Sequence, residues 1–328
     1  MGLGSIYTWS NRPQVPKGKK VYIKIESGGS MQAIASEIQK KMRFFPTWGF
    51  RFLVRWYQVD SQIKSGYHIL KGPLTPSEVV HRLTVSPPAH DIKVRIRAGW
   101  TKWDIADELS RLSLVDRRSF IQRVDQDQLE GRLFPETYHF HPKSTLDDLI
   151  HKMTSQFENQ WKKAVLASPY KDQPEKMQTL LNVPSDPTRL RLINLASFIE
   201  RESAHDADRP LIARVFFNRL AQKMKLQSDP SCVYSELHYT KKATRALCRD
   251  LKSTYSTYVI KGLPPTPIAN PSFKSLHAVL NPDQSQMSEK LLFFVAKRDG
   301  SRRHFFSEDY ATHHKAVLYY LKGKGTPP

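Results

Sequence analysis

The chain has 328 residues, enough for two domains or one large elaborated one, and its hydrophobic (39%), aromatic (11%) and charged (25%) fractions exclude a disordered or collagen-like protein. Lys and Arg number 51 against 31 Asp and Glu, a formal net charge of +20. An anionic neighbour is therefore expected, and nucleic acid, an anionic membrane surface and a polyanionic wall polymer all fit that charge equally. The longest apolar run, Leu291 to Ala296, is far short of the ~18 residues that span a bilayer. No apolar stretch follows Met1, so the chain reads as soluble and without a signal peptide.

An internal repeat opens the chain. Ile23 and Ile25 correspond to Val94 and Ile96, Gly28 to Gly99, Ser30 to Thr101, Ile34-Ala35 to Ile105-Ala106, and Glu37-Ile38 to Glu108-Leu109. Each copy predicts a strand of two-residue period, a glycine turn, and a helix capped by Ser or Thr. Between the copies Gly66 to Ile69 reads as a strand, and Thr75-Pro76-Ser77-Glu78 has the residues of a capping box opening a helix through Leu83. Ser86-Pro87-Pro88 reads as a linker and Pro184-Ser185-Asp186-Pro187 as a second breaker. Between them, Ser144-Thr145 caps a helix to about Leu166 whose Leu149, Ile150, Met153, Phe157 and Trp161 share one face.

After Asp186 and Pro187, Leu190 to Ile199 is apolar around most of its circumference and predicts a buried helix running into Glu200-Arg201-Glu202-Ser203. A further helix starts near Asp208-Arg209-Pro210 and leads to Leu226-Gln227-Ser228-Asp229-Pro230. A proline-dense loop spans Tyr255 to Pro271, Leu291 to Ala296 predicts a buried strand, and Tyr310 to Leu321 a closing helix. Cys232 and Cys248 have no metal-site spacing; one disulfide and two free thiols are equally compatible with them.

A carboxyl at the end of a buried helix can have its pKa raised by desolvation, as a proton donor near neutral pH requires. Glu200 and Glu202 both stand there. At ~100° per residue they point about 200° apart, so they cannot face one another across a bond, and at most one works while the other is structural. Salt bridges to Arg201, Arg209 or Arg214 would account for both without catalysis. GxSxG, Walker and HExxH motifs are absent, and His304, His313 and His314 have no standard metal spacing. Asp229, before a proline, is of the type that caps a helix. Tyr255 and Tyr258 fit a core or a sugar cleft equally.

Five segments, Glu130 to Tyr138, Ala196 to Ser203, Val215 to Leu220, Leu226 to Pro230 and the Tyr255 to Pro271 loop, together resemble the MltG-type (YceG-like) endolytic murein transglycosylases and occur in that family's order. The resemblance covers about residues 90–322 and more weakly 20–85. It implies an α+β fold with an N-terminal α+β unit over 20–88, a LysM-like subdomain and connection over 89–142, and a mixed α/β catalytic domain over 143–322. It further implies a lyase, without metal or cofactor, that cleaves between N-acetylmuramic acid and N-acetylglucosamine inside glycan strands and leaves 1,6-anhydro ends, thereby terminating strand growth. The second glutamate of its ExE motif falls on Glu202. Gln227, Ser228, Asp229, Tyr255, Thr257, Tyr258 and Asn270 are expected around the substrate. Peptidoglycan strands, peptidoglycan synthases and an anionic membrane surface are the implied partners, with no specific nucleic acid, and the periplasmic face of the inner membrane is the implied location. The chain departs from the family pattern at Ser228 (usually Thr), Ser256 (Asn), Thr266 (Gly) and Arg132 (Trp). A noncatalytic wall-binding scaffold is the alternative reading.

Overall fold

The computed structural model describes residues 9, 12–26, 28–42, 45–86, 91–175 and 186–328; Pro87-Pro88 and Pro184-Ser185, read above as linker and breaker, lie outside them. Two units separate, Met1–Asp91 and Ile92–Pro328, so residues 92–142 and 143–322 share one unit. In the first, β1 (Lys20–Ile25) pairs antiparallel with β2 (Gly66–Lys71), Ile23 lying opposite His68. The alternation read from the sequence buries Ile23 and Ile25. Ser30 caps α1 (Met31–Lys41), its hydroxyl accepting the Ala33 N–H at 3.2 Å. After α2 (Thr47–Trp56), the expected capping box starts α3 (Pro76–Thr84), with Glu78 accepting the Thr75 N–H at 2.7 Å. Apolar faces of the three helices close on β1 and β2 around Ile38, Phe50 and Leu83.

The second unit begins with the other copy of the repeat. β3 (Ile92–Arg95) and β4 (Thr137–Phe140) pair antiparallel around α4 (Lys102–Arg111) and α5 (Arg117–Gln126). Both copies are thus strand, helix, helix, strand with the outer strands paired, and Gly28 and Gly99 take the same left-handed turn at φ 73° and 79°. Similar sequence has produced similar local topology twice.

The larger part of this unit is helical. α6 (Leu146–Leu166) buries the predicted stripe, and α7 (Pro187–Glu202) starts where Asp186 accepts the Arg189 N–H. α7 is buried continuously from Leu192 to Ile199 and packs against α6, α8 (Arg209–Ala221) and α11 (Phe273–Leu280). Two single-turn helices, α9 (Asp229–Cys232) and α10 (Arg245–Cys248), lie between, joined by a Cys232–Cys248 disulfide. A hairpin of β5 (Phe293–Ala296) and β6 (His304–Ser307), followed by α12 (Tyr310–Lys322), completes it.

Two local expectations change. The strand expected over Leu291–Ala296 starts at Phe293 and buries only Val295, because a two-stranded hairpin leaves most residues half exposed. α8 starts where expected, with Asp208 at its N-cap position but without a capping bond from its side chain. The fully buried Asp208 carboxylate accepts from Arg303 Nε at 2.5 Å and the His304 N–H at 2.6 Å, tying α8 to β6, and His304 is spent on the same contact. The cap at α9 is Ser228, with Asp229 the first helical residue.

Packing in the second unit demands a glycine. Gly131, at φ 84°, sits where an added Cβ would lie 2.7 Å from Pro267 Cγ and 3.0 Å from Ile193 Cγ2. Gly131→Ala is expected to destabilise the chain by about 2 kcal/mol or more, read as a lowered denaturant midpoint with unchanged m-value.

Candidate active site

The end of α7 delivers the two glutamates to different surroundings. Glu200 Oε2 accepts from Ser272 N–H at 2.9 Å, Ser272 Oγ at 2.6 Å, Ser275 Oγ at 2.8 Å and Arg209 Nη1 at 3.2 Å, and its Oε1 accepts from Arg209 Nη2 at 3.3 Å. Both oxygens are engaged, Oε2 by four donors, so Glu200 is a structural anchor joining α7, α8 and the N-terminus of α11. Of the arginines considered from sequence, Arg209 makes the ion pair, while Arg201 donates to the Gly99 carbonyl at 3.0 Å and Arg214 to that of Asp283 at 2.5 Å.

Glu202, on the opposite side of the last turn, is only half-buried and accepts from the Ser228 hydroxyl, at 2.5 Å from Oε1. Desolvation raises its pKa to about 7, outweighing the Ser228 hydrogen bond and assisted by the negative charge of Asp229; Arg201 and Arg219 act in the opposite sense. A carboxyl at this value holds a proton at neutral pH and can take it back, as general acid–base work demands.

A polar lattice sets Ser228 in place. Thr257 Oγ1 accepts the Ser228 N–H at 2.9 Å, and the Ser231 hydroxyl bonds both the Ser228 carbonyl at 2.6 Å and Thr257 Oγ1 at 2.9 Å. Asp229 accepts the Tyr258 hydroxyl at 2.7 Å; burial first, and Asp229 second, push the Tyr258 pKa up, so it remains a donor. Gln227 is exposed at φ 51°, held by its N–H to the Thr257 carbonyl at 3.2 Å. Underneath, Arg219 donates to the carbonyls of Leu226 at 2.8 Å and Leu292 at 2.6 Å. Glu202, Gln227, Ser228, Asp229, Thr257 and Tyr258 therefore form one constellation. Thr257 is fully buried and acts by holding Ser228, whereas Gln227, Asp229 and Tyr258 reach solvent.

Tyr255 and Asn270 belong to a second network, centred on Glu130. Glu130 accepts from Lys102 N–H at 2.9 Å, Tyr234 Oη at 2.8 Å and Asn270 Nδ2 at 2.7 Å, and burial raises its pKa to about 7. Asn270 is fully buried, its Oδ1 taking the Leu133 N–H at 2.8 Å, so its amide joins the proline-dense loop to the repeat-derived module. The Tyr255 ring lies 4.6 Å from that of Tyr234, and its hydroxyl meets Thr266 Oγ1 at 2.8 Å. Sequence reasoning missed Ser231 and Arg219 as organisers of the site. Their only signal was a small polar residue and an arginine inside otherwise apolar helical stretches.

The four departures have local partners. Ser228 keeps the hydroxyl that binds Glu202. Ser256 is buried and donates to the Cys248 carbonyl at 2.6 Å beside the disulfide, Thr266 pairs with Tyr255, and Arg132 reaches Glu158 at 3.2 Å.

The profile of the YceG-like family matches residues 23–318, both networks included. The chain belongs to the YceG-like family. This YceG-like chain is 29% identical, over 99% of its length and 92% of the relative's, to an endolytic murein transglycosylase of Bacillus subtilis. It is 23% identical to one from Streptococcus pneumoniae, aligning over 93% of this chain and 59% of that longer protein. A 2.6 Å crystal structure of a YceG-like protein from Listeria monocytogenes superposes with a TM-score of 0.55 at 25% identity, covering 92% of this chain and all of that one. The α+β architecture is thus shared.

A glutamate whose folded pKa lies above its unfolded value destabilises the folded state once the unfolded chain has released its proton. Stability contributed by protonated Glu202 is therefore lost as pH rises from about 4.5 to about 7. Glu202→Gln is expected to raise stability at pH 7.5 by on the order of 1–3 kcal/mol and to change little at pH 4.5. Glu200→Gln, which leaves the buried Arg209 only the more exposed Asp206 as counter-charge, is expected to cost about 3 kcal/mol at pH 7.5. Thermal or denaturant unfolding of the two variants at both pH values checks this opposition.

Proposed function

We propose that the chain is an endolytic murein transglycosylase in which Glu202 is the single acid–base residue. The half-buried, near-neutral carboxyl of Glu202, steadied by Ser228, carries this reading; the names of the B. subtilis and S. pneumoniae relatives support the reaction class. Protonated Glu202 donates to the glycosidic oxygen as the bond to the muramic acid C1 breaks. The resulting carboxylate then takes the proton of the C6 hydroxyl as its oxygen closes on C1, which leaves a 1,6-anhydro end and restores the acid. No water is consumed, and one carboxyl suffices because its two duties are consecutive. Exposed Gln227 and Asp229, with Tyr258, are positioned to contact the sugars, and cleavage of growing strands would end their elongation.

The disulfide supports residence in an oxidising compartment, consistent with work at the periplasmic face of the inner membrane. Among the described residues no helix is long and apolar enough to cross a membrane. The charge of +20 suits a surface between anionic lipid and wall carboxylates, where synthases also work.

Mass spectrometry of products from intact peptidoglycan tests the chemistry. New 1,6-anhydro ends are expected from the parent protein and a loss of at least about 10³-fold from Glu202→Gln, whereas reducing muramyl ends would show water as the nucleophile. Because the acid must be protonated, kcat/KM is expected to fall about tenfold per pH unit above pH 7, a limb that a pH–rate profile reveals.

A further inference from the structure

A cavity of about 320 Å³ opens beside α7, away from the Glu202 constellation, and nothing above uses it. Its walls come from α7 (Arg191, Asn194), from the segment around Gly131 (Arg132), and from the proline-dense loop (Pro264 and Pro267). Asn194 shows that the cavity is built for a polar guest. Its Nδ2 donates to the Pro264 carbonyl at 2.8 Å, which fixes the amide's orientation, yet its buried Oδ1 has no hydrogen-bond partner. Asn194 is 5% exposed, so this oxygen is desolvated and waits for an N–H or O–H donor.

The charge of the walls is positive. Arg191 is exposed and has no ion pair or hydrogen bond among the described residues. Arg132 and Arg189 share the single carboxylate of Glu158 at 3.2 and 2.6 Å, and Arg132 Nε is buried and unpartnered. The only acidic residue lining the cavity, Glu130, is already engaged by Lys102, Tyr234 and Asn270. Prolines and Ile193 supply the apolar remainder. Guanidinium groups beside an orphan acceptor suit a ligand that carries both a carboxylate and an amide N–H, that is, a short acidic peptide.

Asn194 and Glu202 are on one helix, and their separation of eight residues corresponds to a rise of ~12 Å. An extended peptide covers ~3.3 Å per residue, so about four residues bridge that distance. We propose that the cavity seats the carboxylate-bearing peptide that hangs from the glycan strand, with Arg191 and Arg132 binding the carboxylate and Asn194 Oδ1 accepting a peptide N–H. This rests on the peptidoglycan reading above and adds to it a determinant of substrate choice.

Two measurements test it. Free stem tetrapeptide is titrated calorimetrically into the Glu202→Gln protein, which cannot turn over strands. Millimolar or tighter binding is expected, weakened at least about tenfold by Arg191→Ala and restored in part by Arg191→Lys. No binding at about 10 mM peptide, or binding indifferent to Arg191→Ala, overturns the proposal. In the Glu202 parent, the ratio of kcat/KM on peptide-bearing strands to that on amidase-stripped strands is expected to fall about tenfold in Arg191→Ala, and an unchanged ratio overturns it. Should neither strand be cleaved by the parent, the catalytic reading fails, while the titration still decides the peptide site.

Discussion

The carboxylate of Glu200 is the contact on which the site depends. It ends a buried helix, α7, and a buried carboxylate needs donors. Glu200 meets that need by gathering Arg209 from α8 and Ser272 and Ser275 from the start of α11, so three elements are locked at one point. The helix then cannot fray, and the residue two positions on is held with its carboxyl against Ser228. The placement of Glu202 is thus inherited from a neighbouring carboxylate.

Burial raises two carboxyls in the same unit to about 7, with different consequences. Glu130 accepts three donors and is 4% exposed, so its role is to join the module of β3, β4, α4 and α5 to Tyr234 and Asn270. Glu202 accepts from Ser228 and remains half-buried. A perturbed pKa alone does not distinguish a functional acid from a structural one; the number of committed donors and the remaining access do.

The segment from Leu226 to Cys232 shows how small polar residues can be as decisive as charged ones. Thr257, Ser231 and Ser228 form a closed hydrogen-bond set whose free hydroxyl points at Glu202. The disulfide ties the end of that segment to Cys248, and Ser256 binds the Cys248 carbonyl, so the departure from the usual Asn at this position is absorbed by a local, fully buried contact.

Periodicity, capping residues and the repeated Ile-x-Ile, Gly, Ser/Thr pattern were enough to place the strand–turn–helix that opens each module, the strand at Gly66, the capping box at Thr75 and the buried run of α7, because these depend on residues near one another in the chain. Family motifs added Glu202 and its surroundings. Tertiary structure alone decided that Glu200 is an anchor, that Asp208 binds Arg303 and His304, that Asn270 is an interior strut, and that Cys232 and Cys248 pair. It also brought Arg191, Arg132 and Asn194 around one cavity. Each of these is a contact between residues distant in sequence, and a polar side chain's role is set by which distant donors and acceptors share its desolvated space, a quantity no local pattern encodes.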